Sequence, residues 1–194
     1  MLTRTIRTAA AALLVMAASS VAQAEWHLDA EASRLSFIST KNASKAEVHH
    51  FRELAGSVTD DGAARVEVPL DSVETAIPIR NERMREFLFE TADYPSLTVS
   101  ASVDPAVLGG AGAQAMTLPV TVSLHGQTAS YDAAVLVAGG EDGSVTVTTS
   151  EPIVVNAGDF ELGAGIAKLQ ALAGLSSIST AVPVSARLVF RAGN

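Results

Sequence analysis

Beyond residue 24 the chain alternates apolar and polar side chains with period two, in short runs broken by glycine and Asp-Gly pairs. Successive side chains on a strand point to opposite faces, so each run reads as a strand with one face turned inward. Leu35 and Phe37 share a face of Arg34 to Thr40, Val66, Val68 and Leu70 a face of Ala64 to Leu70, and Leu97, Val99, Ala101 and Val103 a face of Leu97 to Val103. Leu118, Val120, Val122 and Leu124 continue the pattern, then Ala133, Val135 and Val137, then Val145 and Val147, and last Val182, Val184, Ala186, Leu188 and Phe190. Asp61-Gly62, Gly109-Gly110-Ala111-Gly112, His125-Gly126 and Gly139 to Gly143 supply the residue types that tight hairpins need. The reading is an all-β chain of about eight antiparallel strands, closed as a barrel or stacked as a sandwich.

Two stretches break the alternation. Over 81–90, Met84, Phe87 and Leu88 fall on one helical face and Glu82, Glu86 and Glu90 on another, and Tyr94-Pro95 ends the run. Over 164–173, Ile166, Leu169, Gln170 and Ala173 form one stripe ahead of Gly174, which predicts a helix inserted before the last strand.

The N-terminal segment has a different character. Met1 to Ala24 carries Arg4 and Arg7 and no acidic residue, then the apolar run Ala9 to Ala18, then Val21-Ala22-Gln23-Ala24 with small residues at the two recognition positions. This is the pattern of a secretory signal peptide cleaved after Ala24. The run stops short of the ~20 apolar residues that a membrane crossing takes, and no later stretch is long enough. The expected organisation is an export signal over 1–24 and one folded domain over 25–194, delivered to the periplasm.

Composition removes several chemistries. The absence of cysteine excludes a disulfide scaffold, a thiolate metal site and a cysteine nucleophile. A net charge of -8 with no basic cluster speaks against nucleic acid as a partner. His49 and His50 are adjacent, so on a strand their rings point to opposite faces and cannot share one metal; a surface or turn role is expected for them, and no metal site. His125 sits in a tight turn, where its ring serves the backbone or grips a polar ligand group. With no nucleophile elbow, metalloprotease helix or phosphate-cradling loop, no residue is assigned a catalytic role. Arg80, Arg83 and Arg85 either meet a phosphate or carboxylate or pair locally with Glu82, Glu86 and Asp93, the local pairing being the expected use. Met84, Phe87, Leu88 and Phe89 are core-type residues, but in a small barrel core and ligand cavity are the same place.

The stretch Ser72 to Ser100, with Arg80-Asn81-Glu82-Arg83-Met84 and Asp93-Tyr94-Pro95-Ser96 inside it, resembles the signature segment of the YceI-like family of exported lipid-binding proteins. Three further pieces occur in that family's order: Asp29-x-x-x-Ser33-x-Leu35-x-Phe37, Leu118 to Gly126, and Val154-Val155-Asn156-Ala157-Gly158-Asp159-Phe160-x-Leu162. The resemblance implies an extended, lipocalin-like antiparallel barrel whose interior holds the tail of a polyisoprenoid or similar long-chain amphiphile, with no cofactor and no catalytic residue. On that reading the tail-binding candidates are Phe37, Met84, Phe87, Leu88, Phe89, Leu97, Val99, Val120, Val122 and Phe160. Arg80, Asn81, Arg83 and His125 are the rim candidates for a headgroup. Pairing of two barrels as a homodimer is left open. The alternatives are a side-chain-filled barrel that docks a partner, or an enzyme on apolar substrates.

Overall fold

The computed structural model describes residues 25–108 and 112–193; the export segment expected over 1–24 lies outside the described residues. Twelve strands are found among the described residues. They are β1 Trp26–Leu28, β2 Arg34–Lys41, β3 Lys45–Phe51, β4 Ala55–Val58, β5 Ala63–Pro69, β6 Val73–Glu74, β7 Ser96–Ser102, β8 Ala113–Leu124, β9 Gln127–Gly139, β10 Val145–Thr149, β11 Ile153–Asn156 and β12 Ala181–Ala192.

These combine end to end into eight staves of one closed antiparallel barrel. β1 and β2 together flank one edge of β12, with Trp26 opposite Ala192 and Phe37 opposite Val184. β10 and β11 flank its other edge, with Val147 opposite Leu188 and Val155 opposite Val182. Between them run β4 with β3, β5 with β6, then β7, β8 and β9, each stave paired to the one before. The barrel, not the sandwich, is therefore the form that the alternation takes, and pairing around the ring leaves the staves no long exposed edge.

The connections sort by end. One end is closed by the short turns after β4 and β9, by a helical turn at Pro105–Leu108, and by Trp26, which pairs with Val58 and packs on the core. The opposite end, the mouth, carries the two long insertions between β6 and β7 and between β11 and β12. In the first, a helix Pro78–Arg83 begins with proline at its first turn, where the missing N–H is no loss. It continues as one turn of π-helix, Met84–Leu88, in which the Phe89 N–H donates to the Met84 carbonyl at 2.9 Å. The helix expected over 81–90 thus starts earlier and changes pitch midway. In the second insertion the helix Gly163–Ala173 ends on Gly174 at φ 62°, as its sequence predicts.

The two insertions pack together over the mouth, and Gly165 is where they touch. A Cβ there would stand 2.8 Å from Leu88 Cα and closer still to the Phe87 carbonyl oxygen, both of them backbone. At Gly163 a Cβ would meet nothing within 4 Å. Gly165→Ala is therefore expected to destabilise the fold by about 1–3 kcal/mol through overpacking, while Gly163→Ala leaves stability unchanged or raises it. Urea unfolding of the two variants side by side checks this.

Candidate functional site

The inward positions of the staves enclose a cavity of about 590 Å³, inside the roughly 300–1,000 Å³ range of small-molecule sites. Its hollowness follows from residue size. Around the ring the inward residues are chiefly valine and alanine, among them Val66, Val99, Val120, Val135, Ala133 and Ala186. Eight staves make a bore that large side chains would fill, and these do not reach its axis. The mouth insertions add Ile77, Ile79, Met84, Leu88, Phe89, Ile166 and Leu169 to the lining. Ile77 and Ile79 are nevertheless 44% and 51% exposed, so the cavity communicates with solvent beside the first mouth helix.

Of the apolar candidates from sequence, Phe37, Met84, Leu88, Phe89, Leu97, Val99, Val120 and Val122 all line this cavity, and so do Arg80 and Arg83. Four candidates lie elsewhere. Phe87 is turned outward beneath Lys168, whose Nζ sits 5.4 Å from the ring centroid. The π turn accounts for this: a five-residue repeat stacks Phe89 over Met84, whereas a regular helical repeat would have stacked Phe87 or Leu88. Phe160 is wholly buried beside Tyr131, 6.4 Å between centroids, and is absent from the cavity wall. Asn81 is buried as a staple for its own loop, its Oδ1 accepting from the Thr75 N–H at 2.9 Å and the Thr75 hydroxyl at 2.5 Å. His125 contacts the Glu90 carboxylate at 3.0 Å and stacks on Tyr94 at 4.2 Å, tying the β8–β9 turn to the mouth loop.

The arginines also depart from local pairing. Arg80 reaches across to Glu47 at 2.5 Å and donates to the Thr75 carbonyl at 2.6 Å. Arg83 donates to the Leu172 carbonyl at 3.3 Å and Arg85 to the Asp71 carbonyl at 3.2 Å.

A polar sector not anticipated from sequence lies on β2 and β3. Ser39, Lys41 and His49 line the cavity there, and Glu47 accepts from both Lys41, at 2.6 Å, and Arg80. Those two hydrogen bonds, Lys41 first, hold the Glu47 carboxyl down at about 2. His49, expected at the surface, is 2% exposed, with Nε2 2.9 Å from the Ser39 hydroxyl and its ring edge-on to Phe37. Burial above all, then the Arg80 charge, pushes its imidazole down to about 4, so it is neutral. His50, one residue on, faces the other way, as adjacency on a strand requires. The parity that puts Leu35 and Phe37 inward also puts Ser39 and Lys41 inward, and that was the available signal.

The depressed His49 pKa fixes a pH dependence. Between pH 6.5 and 4 the unfolded chain takes up a proton that the folded chain refuses, so stability present above pH 6.5 is lost as pH falls toward 4. The shift corresponds to about 3 kcal/mol. Subtracting the unfolding free energy of a His49→Gln variant from that of the parent between pH 7 and pH 4 should expose a difference of that order. Glu47, held to about 2, adds its own loss only below the ordinary carboxylate pKa of 4.5.

Comparison with known proteins places the architecture. The family pattern of the YceI-like domain matches residues 26–190. A polyisoprenoid binding domain from Saccharophagus degradans, implicated in plant cell wall breakdown, is 37% identical, with a TM-score of 0.84 over 87% of this chain and 98% of that one. BcnA from Burkholderia cenocepacia, 18% identical, shares the fold with a TM-score of 0.67 over 84% of this chain and 98% of its own. Comparison with curated protein sequences gives no match. With the family pattern spanning all eight staves and the barrel superimposing on a relative at this identity, the chain belongs to the YceI-like family.

Proposed function

We propose that this protein is a periplasmic carrier that holds the tail of a polyisoprenoid or similar long-chain amphiphile inside its barrel, without catalysis. The observation that carries the reading is the apolar hollow itself, in a chain 37% identical to a polyisoprenoid binding domain. At about 30 Å³ per methylene-sized group, the volume of one water in the liquid, the cavity of about 590 Å³ takes about twenty such groups, or four prenyl units. Burying them yields about 16 kcal/mol at ~0.8 kcal/mol each. Association costs of about 8 kcal/mol, within the roughly 4–15 kcal/mol range, leave about 8, which is micromolar. A longer tail would extend through the opening beside Ile77 and Ile79.

The polar sector supports binding over turnover. Ser39 and His49 are within hydrogen-bond reach, but a base held at about 4 is a weak acceptor of a hydroxyl proton near neutral pH. The carboxylate of the cluster, Glu47, is engaged by Lys41 and Arg80 and not spent on orienting the imidazole. No helix among the described residues is long and apolar enough to cross a membrane.

Protein recovered from the periplasm of its producing cells should begin at Glu25 by intact mass and yield an isoprenoid or other long-chain lipid on organic extraction. An extract without lipid, from protein that also takes up no apolar fluorophore, would overturn the carrier reading. Ala133 is 2% exposed and faces the hollow from β9. Ala133→Trp should fill the bore, keep the β-sheet circular dichroism and lower affinity for an apolar fluorophore at least tenfold.

A further inference from the structure

The charged and imidazole groups of the cavity wall gather on β2, β3 and the first mouth helix, and that sector is not saturated. On β2 the inward residues run Leu35, Phe37, Ser39, Lys41 toward the mouth, and on β3 they run Phe51, His49, Glu47 in the same direction. On the other staves the cavity-lining residues, among those described, carry no charge: β8 ends in Leu124 and β11 in Val155, and the hydroxyl of Thr149 on β10 is spent on the Ala186 backbone. Within the sector Glu47 accepts from two cations, one guanidinium nitrogen of Arg80 is spent on the Thr75 carbonyl, and Ser39 engages His49 Nε2. Two buried atoms keep no protein partner: Nδ1 of His49 and Nε of Arg80. Buried polar atoms are almost always satisfied, so such a pair beside a cavity points to a ligand atom.

The chemistry of that atom follows from the donor inventory. Arginine Nε only donates, and if the Ser39 hydroxyl donates to His49 Nε2, the neutral imidazole carries its hydrogen on Nδ1 and donates there too. Lys41 and Arg80 outnumber Glu47, so the sector has surplus positive charge. We propose that this sector seats the head of the bound amphiphile, an acceptor oxygen of a carbonyl or carboxylate held by His49 Nδ1 and Arg80 Nε, with the tail running down the bore. This inference rests on the carrier reading and adds to it a class of head. An amine head is disfavoured, because it would meet two cations against the single carboxylate of Glu47.

The test is displacement of N-phenyl-1-naphthylamine from the full chain by three ligands with one tail: hexadecanoate, methyl hexadecanoate and hexadecylamine. Hexadecanoate and the ester should both compete at least tenfold better than the amine, and the ratio between the two acceptor heads tells a carboxylate site from a carbonyl site. In His49→Phe and Arg80→Gln variants that still bind the fluorophore, the preference should fall to threefold or less. Independently of any variant, hexadecanoate should shift the imidazole ¹⁵N resonances of His49 in the parent protein. Equal competition by all three ligands, or a preference that survives in both variants, would overturn the head site and leave the carrier reading standing. Failure of all three to displace the fluorophore would overturn both.

Discussion

The closure of β12 onto two neighbours at once is the constraint from which the rest of the structure follows. One edge of this strand is bonded to β1 and β2 and the other to β10 and β11, so the ladder runs around the ring. Register in such a ring is unforgiving, because a slip of one residue on any stave would turn its valines outward and its serines and threonines in. Once closed, the bore has a width set by backbone geometry, and only the size of the inward side chains determines whether it is filled. Aromatic residues make up 5% of the chain, and several of them gather along one line, Phe37 to Phe51 at 5.6 Å and Phe51 to Phe89 at 6.1 Å. They thicken one wall and leave the axis clear.

What the sequence made legible is what obeys apolar-in alternation. Staves such as β7 and β8 were visible because their valines and leucines all face one way, and the helix at 163–173 because Gly174 ends it. β3 was not visible, since its pattern is inverted: Glu47 and His49 face inward and Val48 lies 68% exposed outside. That inversion is the polar sector itself, so the strand hardest to read is the one with the most distinctive site chemistry. The outward turn of Phe87 has another cause, the π turn, which changes the repeat within a segment whose composition suits an ordinary helix. Asn81, Arg80 and His125 found partners that local spacing does not reveal; Arg80 and Glu47 are 33 positions apart. The family resemblance supplied the barrel where alternation alone left barrel and sandwich open.

Placing charge beside an apolar bore is costly unless the charges pair. Lys41, Glu47 and Arg80 are partly shielded, with side chains 18%, 30% and 23% exposed, so they sit at the mouth where water still reaches them. His49 lies one inward position deeper than Glu47 and is neutral, as that depth demands. The interior thus grades from paired ions at the rim, through a neutral hydrogen-bonding ring, to hydrocarbon. A molecule with a polar end and an apolar body matches that order in one orientation only.

The hollow also bears on stability. At about 24 cal/mol per Å³, an unfilled volume of about 590 Å³ corresponds to about 14 kcal/mol of forgone packing, as large as the whole stability of an ordinary domain. The fold tolerates this because its strongest contacts lie in the ladder and in residues such as Leu70, Val73, Val145 and Phe160, which are almost wholly buried. A hydrocarbon tail seated in the cavity, as proposed, would restore part of the missing contact and, by binding only the closed ring, would add its binding free energy to the folded state. Affinity and stability are therefore linked through the same valine-lined wall: side chains large enough to stabilise the empty ring would do so by occupying the space that the tail requires.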